Sequence, residues 1–224
     1  KFMKKLIVGS FFLLATIFSP QIFADGHKVY GPYPITLKGY SGDKTNSVKY
    51  TGQMARQALH DSLKALVKSG DVAKMMAYYN GEDGLEIIAP KSKDDFKIKQ
   101  TMIADIGSGN LSGKTYKGAV AGWGNLTGPE VLEHMMTKAG EVDGGFDPNT
   151  GFDYTQLISK FAMGAVFYNQ AANNYLGKKM ELGQKPNSKP YKEGSYYTGK
   201  EHSWDEAFGY WGSAAHALTL TAEQ

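Results

Sequence analysis

The chain has no cysteine among its 224 residues. This excludes a disulfide framework, cysteine-ligated zinc, iron–sulfur clusters, thiol catalysis and a lipid-bearing N-terminal cysteine. It also lacks a zinc-protease His-Glu-x-x-His motif and a Gly-x-Ser-x-Gly nucleophile elbow, so no motif for hydrolysis stands out. No internal repeat, heptad run or low-complexity tract is present. The longest apolar run, Leu6 to Phe18, is shorter than the roughly 20 residues of a membrane helix.

Excess charge is scarce too. Of 25 basic residues, three lysines (Lys1, Lys4, Lys5) fall within residues 1–24, leaving 22 against 22 acidic residues. A neutral chain offers no electrostatic case for nucleic acid or for an anionic membrane surface. What is present is an ordinary globular balance, 42% apolar and 21% charged, enough to bury a sizeable core.

Residues 1–24 have the form of a secretory leader. Met3-Lys4-Lys5 is a positive start, the apolar run follows, Ser19-Pro20 breaks it, and Ala24 is a small residue at a cleavage point. The expected mature protein is periplasmic or secreted, with no membrane span once the leader is removed. Residues 25–50, rich in Gly, Tyr, Pro and Thr, are expected to form an extended N-terminal arm. Residues 51–224 are expected to form one helical domain.

Within that domain the apolar period is helical. Met54, Ala55, Ala58, Leu59, Leu63, Leu66 and Val67 predict a first helix, stopped at Gly70. Asp71 predicts the cap of a second, stopped at Asn80-Gly81. Ser92 and Asp95 predict a third that runs through Phe96, Met102, Ile103 and Ile106. A glycine-rich connection of residues 107–128 follows. Thr127-Gly-Pro-Glu130 predicts a capped helix to Gly140. Asp153 predicts the start of the longest helix, Tyr154 to Leu176, with Gly177 as its stop. Gly164 within it is expected at a close helix crossing, since its helix cost otherwise lacks an offset. Lys178 to Gly194 reads as a loop. Thr198-Gly-Lys-Glu201 predicts the cap of a last helix running to about Ala217. The expected fold class is all-α, a helical bundle with long loops.

Four stretches invite a chemical reading. Ser108-Gly-Asn-Leu-Ser-Gly-Lys-Thr115 approaches a phosphate-binding loop, but Ser108 replaces the first glycine and Gly118 and Gly122 spoil the following helix. Asp147-Pro-Asn-Thr-Gly-Phe-Asp153 spaces oxygen ligands as a calcium loop does, but also makes a good turn, and it lacks the distal bidentate glutamate. Glu130 and His134 share a helix face at i and i+4 and form a weak ligand pair. In Glu201-His-Ser-Trp-Asp-Glu206, His202, Asp205 and Glu206 share one face while Trp204, Phe208 and Trp211 form another. The expected arrangement turns the aromatic stripe to the core and the imidazole and carboxylates to a polar pocket, where they suit zinc, iron or a small polar ligand.

Ser47-Val-Lys-Tyr-Thr-Gly-Gln-Met-Ala-Arg56, Leu157-Ile-Ser-Lys-Phe-Ala-Met-Gly-Ala-Val-Phe-Tyr168 and Glu201-His-Ser-Trp-Asp-Glu-Ala-Phe-Gly-Tyr-Trp-Gly212 occur in that order. They resemble landmarks of an uncharacterised family of exported bacterial proteins similar to the imelysins. The resemblance implies an all-helical fold of bundle halves, a periplasmic or surface setting with a partner protein there, and a link to iron or other metal acquisition without catalysis. Its Gly-x-His-x-x-Glu signature corresponds here to Gly199, His202 and Asp205, with Glu206 beside it. One extra residue and an aspartate depart from the signature. The resemblance also implies a considerably longer chain, of which this sequence is expected to be an N-terminal part. The rival readings are an imelysin-type metallopeptidase and a carbohydrate- or polymer-binding module using Trp123, Tyr191, Tyr196 and Tyr197.

Overall fold

The computed structural model describes residues 33–88 and 100–212. The expected leader, the expected helix start at Ser92 and the expected run of the last helix to Ala217 lie outside the described residues. What is described is a largely helical fold, and no helix in it is long and apolar enough to cross a membrane.

Helix α1 spans Thr51–Leu66 and buries Ala55, Ala58, Leu59, Leu63 and Leu66, the face predicted by the period. A single 3-10 turn, Val67–Ser69, ends at Gly70 with φ 65°. Asp71 then caps α2, Val72–Asn80, by accepting the Lys74 amide at 2.9 Å. Gly81 ends α2 at φ 62°, and a Cβ there would also run into the Gly109 carbonyl oxygen. Glycine is therefore required twice over at this position.

The third helix is not as predicted over its described part. Residues 85–88 and 100–103 pair instead: Ile87 donates its amide to Thr101 at 2.7 Å and Ile103 donates to Leu85 at 2.9 Å. One 3-10 turn, Ile103–Asp105, follows. Asp105 accepts the Thr101 and Met102 amides at 3.3 and 3.0 Å, which caps this turn rather than a longer helix. Ile103 reaches the core from an extended approach, so the apolar spacing that resembled a helix face is satisfied without one.

Residues 107–127 form an irregular connection with one 3-10 turn, Ser112–Lys114. Leu111 is fully buried and its amide donates to Tyr79 at 3.0 Å, so the connection is stitched to α2. Helix α3, Gly128–Gly140, starts where Glu130 accepts the Thr127 amide and hydroxyl, each at 2.7 Å. The hairpin of β1, Phe146–Asp147, and β2, Phe152–Asp153, pairs antiparallel with Phe146 opposite Asp153. Asp153 caps α4, Tyr154–Ala162, by accepting the Gln156 amide at 3.2 Å.

The long helix continues beyond α4 as a π-wound segment, Met163–Gly177. Its end shows the wide winding, with Lys178 donating to Asn173 as well as Asn174. Such winding is rare and occurs mostly as single-turn bulges, so a segment of 15 residues is unusually long. Gly164 is exposed, and a Cβ there would meet nothing within 4 Å. The close crossing predicted at Gly164 lies elsewhere, at Gly209 of α5, Gly199–Gly212. There a Cβ would stand 2.7 Å from the Gln53 Cβ and 2.9 Å from the Tyr50 Cβ.

Helix α1 packs against α2, α4 and α5, α3 against α2 and α4, and α5 against the π-wound segment and α1. The core between them includes Leu59, Leu63, Tyr79, Met136, Ile158 and Tyr210.

Candidate functional site

Helix α5 carries the residues that the sequence singled out. It begins at a reciprocal cap: the Glu201 amide donates to Thr198 Oγ1 at 3.2 Å and Glu201 Oε2 accepts the Thr198 amide at 2.7 Å. Thr198 Oγ1 also donates to Asn187 Oδ1 at 2.7 Å, and Glu201 Oε1 accepts from Thr36 at 2.7 Å. Thr198→Ala removes a helix cap from a buried position and is expected to destabilise the protein by about 1–2 kcal/mol in chemical denaturation.

The faces of α5 are the reverse of the expected ones. Trp204 is 53% and Trp211 74% exposed, and Phe208 lies at the edge against Tyr50 with 5.8 Å between rings. The inner face is Ser203, Asp205, Ala207, Gly209 and Tyr210. Two conditions permit this. Gly209 lets α1 come close, and two of the buried polar groups find partners: Ser203 donates to the Gly199 carbonyl at 2.9 Å, and Asp205 accepts the Lys49 amide at 3.1 Å.

Asp205 therefore faces residues 33–50, which cross α5 without regular structure. Burial raises its pKa to about 7, and Glu201 and Glu206 add to the rise against the lowering by the Lys49 amide. His202 pairs with Glu206 instead, at 3.6 Å from Nε2 to Oε2. Their side chains are 15% and 18% exposed, so the pair is reachable from solvent. The imidazole stacks on Tyr197 at 4.7 Å and leans on Tyr191 at 4.9 Å. Burial pushes its pKa below the ordinary value, Glu206 opposes that, and Lys179, Lys49 and Lys185 add to the depression. The ring is neutral at neutral pH, and its buried Nδ1 has no hydrogen-bond partner among the described residues.

Glu206 is a junction. It accepts the Gln53 amide at 3.0 Å, stands 4.0 Å from Lys179 Nζ, and faces Tyr175 of the π-wound segment. Burial first and this carboxylate next push the Tyr175 hydroxyl far above its ordinary value. Lys179 in turn lies 3.5 Å over the Tyr175 ring.

The weaker readings resolve into local structure. Glu130 is occupied by the start of α3, and His134 is exposed with its ring 5.9 Å from Trp123. Among the described residues no three His, Cys, Asp or Glu side chains converge as a metal centre. His202 and Glu206 come together, while Asp205 turns to the arm. In the calcium-like stretch, Asp147 accepts the Asn149 amide at 2.9 Å and the Thr150 hydroxyl at 2.8 Å, as a turn does. In the phosphate-like stretch, the Asn110 carbonyl accepts from Arg56 Nε at 3.0 Å. Tyr196 packs on Tyr197, and Tyr197 and Tyr191 pack on each other and on His202, with Tyr191 still exposed.

One arrangement escaped the sequence reading. A groove of about 450 Å³ is lined by His60, Asp61, Ser159, Tyr168 and Trp211 among others. Asp61, His60 and Ser159 stand in a row, at 3.7 Å and 3.4 Å, resembling a hydrolase triad. The direction of the bonds opposes that role. His60 Nε2 lies 3.1 Å from the Ser159 carbonyl oxygen, which can only accept, so Nε2 carries the proton and cannot take one from Ser159. Ser159 is also 98% buried in mid-helix.

A family model described as a domain of unknown function, DUF4856, matches residues 132–223, a stretch that takes in His134, His202, Asp205 and Glu206. No curated protein and no solved structure matches the chain.

Proposed function

We propose that this is an exported, imelysin-like binding protein without catalytic activity, and that α5 carries its ligand site. The observation that carries the reading is the inner edge of α5. A neutral imidazole with an unpartnered Nδ1 stands beside a solvent-reachable carboxylate, held by Tyr197, Gln53 and Lys179. A buried polar atom without a partner is costly, and a ligand supplies the missing bond. The three family-like segments support the exported setting and the link to iron or another metal. His202 and Glu206 give two ligand atoms, so a metal held there needs donors from the ligand or from other residues.

Metal analysis and native mass spectrometry of protein purified without added metal test this. A bound species that is lost in His202→Phe, with the melting temperature kept within about 2 °C, is the expected result, because phenylalanine retains the stacking on Tyr197. Retention of the species in that variant assigns the imidazole to packing alone.

The groove favours a second reading, binding of a carbohydrate or other polymer, through Tyr168 and Trp211 rather than the tyrosines near His202. Quenching of tryptophan fluorescence by oligosaccharides, abolished in Trp211→Ala, is its test.

A further inference from the structure

Three cations lie within electrostatic reach of one carboxylate beside this site, and their pairing among the described residues is incomplete. Arg56 is the chain's single arginine. It is half-buried on α1, with Nε committed to the Asn110 carbonyl and its guanidinium 5.7 Å from the Tyr210 ring. Gly109 and Gly52 leave the guanidinium its room: a Cβ at Gly109 would stand 2.9 Å from Cζ, and one at Gly52 would stand 3.3 Å from Nη1. Lys114 ends the 3-10 turn and is half-buried, and Gln170 anchors it by donating to its carbonyl at 2.8 Å. Neither Arg56 nor Lys114 forms an ion pair among the described residues. Among the described residues Lys179 has Glu206 as its one ion-pair partner, at 4.0 Å, besides the Tyr175 ring at 3.5 Å, and Glu206 already accepts from Gln53.

We propose that Arg56, Lys114 and Lys179, beside Glu206, receive the oxyanion end, a carboxylate or phosphate, of a small ligand. The proposal rests on α5 carrying the ligand site and names the chemistry of what it takes. Taking a cation out of water is unfavourable unless a counter-charge stands near it, and here three cations share one carboxylate. The Arg56 Nη atoms, which have no hydrogen-bond partner among the described residues, and two point charges suit an oxyanion. The same surplus repels a bare divalent cation. The groups sense one another: burial and then Arg56 lower the Lys114 pKa, burial lowers that of Lys179 with Lys114 adding to it, and Glu206 opposes both shifts. Glu206 then has a selective role, orienting a donor group on the ligand while excluding a second oxyanion beside it.

The test is thermal and calorimetric titration of the full chain with inorganic phosphate and with citrate, against sodium chloride at equal ionic strength. The expected result is a saturable rise in melting temperature with at least one of the two, the stronger of them telling a phosphate from a carboxylate ligand. Lys114→Gln should weaken that binding at least about tenfold while raising the ligand-free melting temperature, since an unpaired cation is removed. Lys179→Gln serves equally if the first variant folds poorly. Absence of a rise beyond chloride, or a rise that survives both variants, overturns the proposal. A co-purified metal without any oxyanion effect would sink this inference and leave the α5 reading standing. An oxyanion effect lost in Lys114→Gln but unchanged in His202→Phe would uphold it and confine the failure to the role of His202.

Discussion

Gly209→Leu is expected to destabilise the protein by about 3 kcal/mol, a fall of roughly 6–12 °C in melting temperature for a chain of this size. The contacts set the direction. A Cβ at Gly209 would press on the Cβ atoms of Gln53 and Tyr50, which sit next to the α1 backbone and cannot swing aside as the end of a long side chain can. Relief requires α5 to move off α1. That would stretch the Gln53–Glu206 bond and the two bonds from Gln57 to the Gly209 and Tyr210 carbonyls, both 3.2 Å. Gly164→Leu is the paired control. Nothing stands within 4 Å of its Cβ position, so it should be neutral or slightly stabilising through the gain in helix propensity. Equal melting temperatures for the two variants would refute this crossing geometry.

Asp205→Asn is expected to stabilise the protein at pH 8 and to have little effect near pH 4. The folded carboxyl titrates near pH 7, whereas its ordinary value is 3.8. Between these values the folded state keeps a proton that the unfolded chain has lost, so stability falls as pH rises through the window. Above pH 7 the penalty is complete. The width of the window, at about 1.4 kcal/mol per pH unit, sets a ceiling of about 4 kcal/mol. Asparagine carries no charge and still accepts the Lys49 amide through its carbonyl oxygen. The depressed His202 works in the other direction, because its stability contribution is lost as pH falls below 6.5 and the unfolded imidazole takes a proton. Removing Asp205 should therefore expose an uncompensated decline toward acid. Urea unfolding from pH 4 to 8 reads this directly, and parallel profiles for the two proteins would show that the carboxyl is ionised throughout.

Both results bear on function because Gly209 and Asp205, one turn apart on the same side of α5, hold that side in place. Gly209 sets the helix against α1, where Glu206 meets Gln53. Asp205 joins it to residues 33–50. His202 and Glu206 share this side of α5, so the placement of the pair against Tyr197, Gln53 and Lys179 depends on both attachments.

The sequence by itself determined where α2, α4 and α5 begin, where α2 ends and where the 3-10 turn after α1 ends. Asp71, Asp153 and Thr198 cap amides within three residues of themselves, and Gly70 and Gly81 adopt the left-handed turn at helix ends. Such signals are complete within one turn of chain, so they are legible without knowledge of the rest. It also marked His202, Asp205 and Glu206 as residues sharing one side of a helix. Which side faces inward was decided by partners about 150 residues away: the Lys49 amide satisfies Asp205, and Tyr50 and Gln53 close on Gly209. Those contacts reverse the hydrophobic expectation, leaving Trp204 and Trp211 outside and a carboxyl within. The same holds for Ile103, whose apolar spacing served an extended approach once Leu85 and Ile87 supplied backbone partners. Apolar periodicity states that a face is buried, but only tertiary packing supplies the backbone bonds and close crossings that let a polar face take its place.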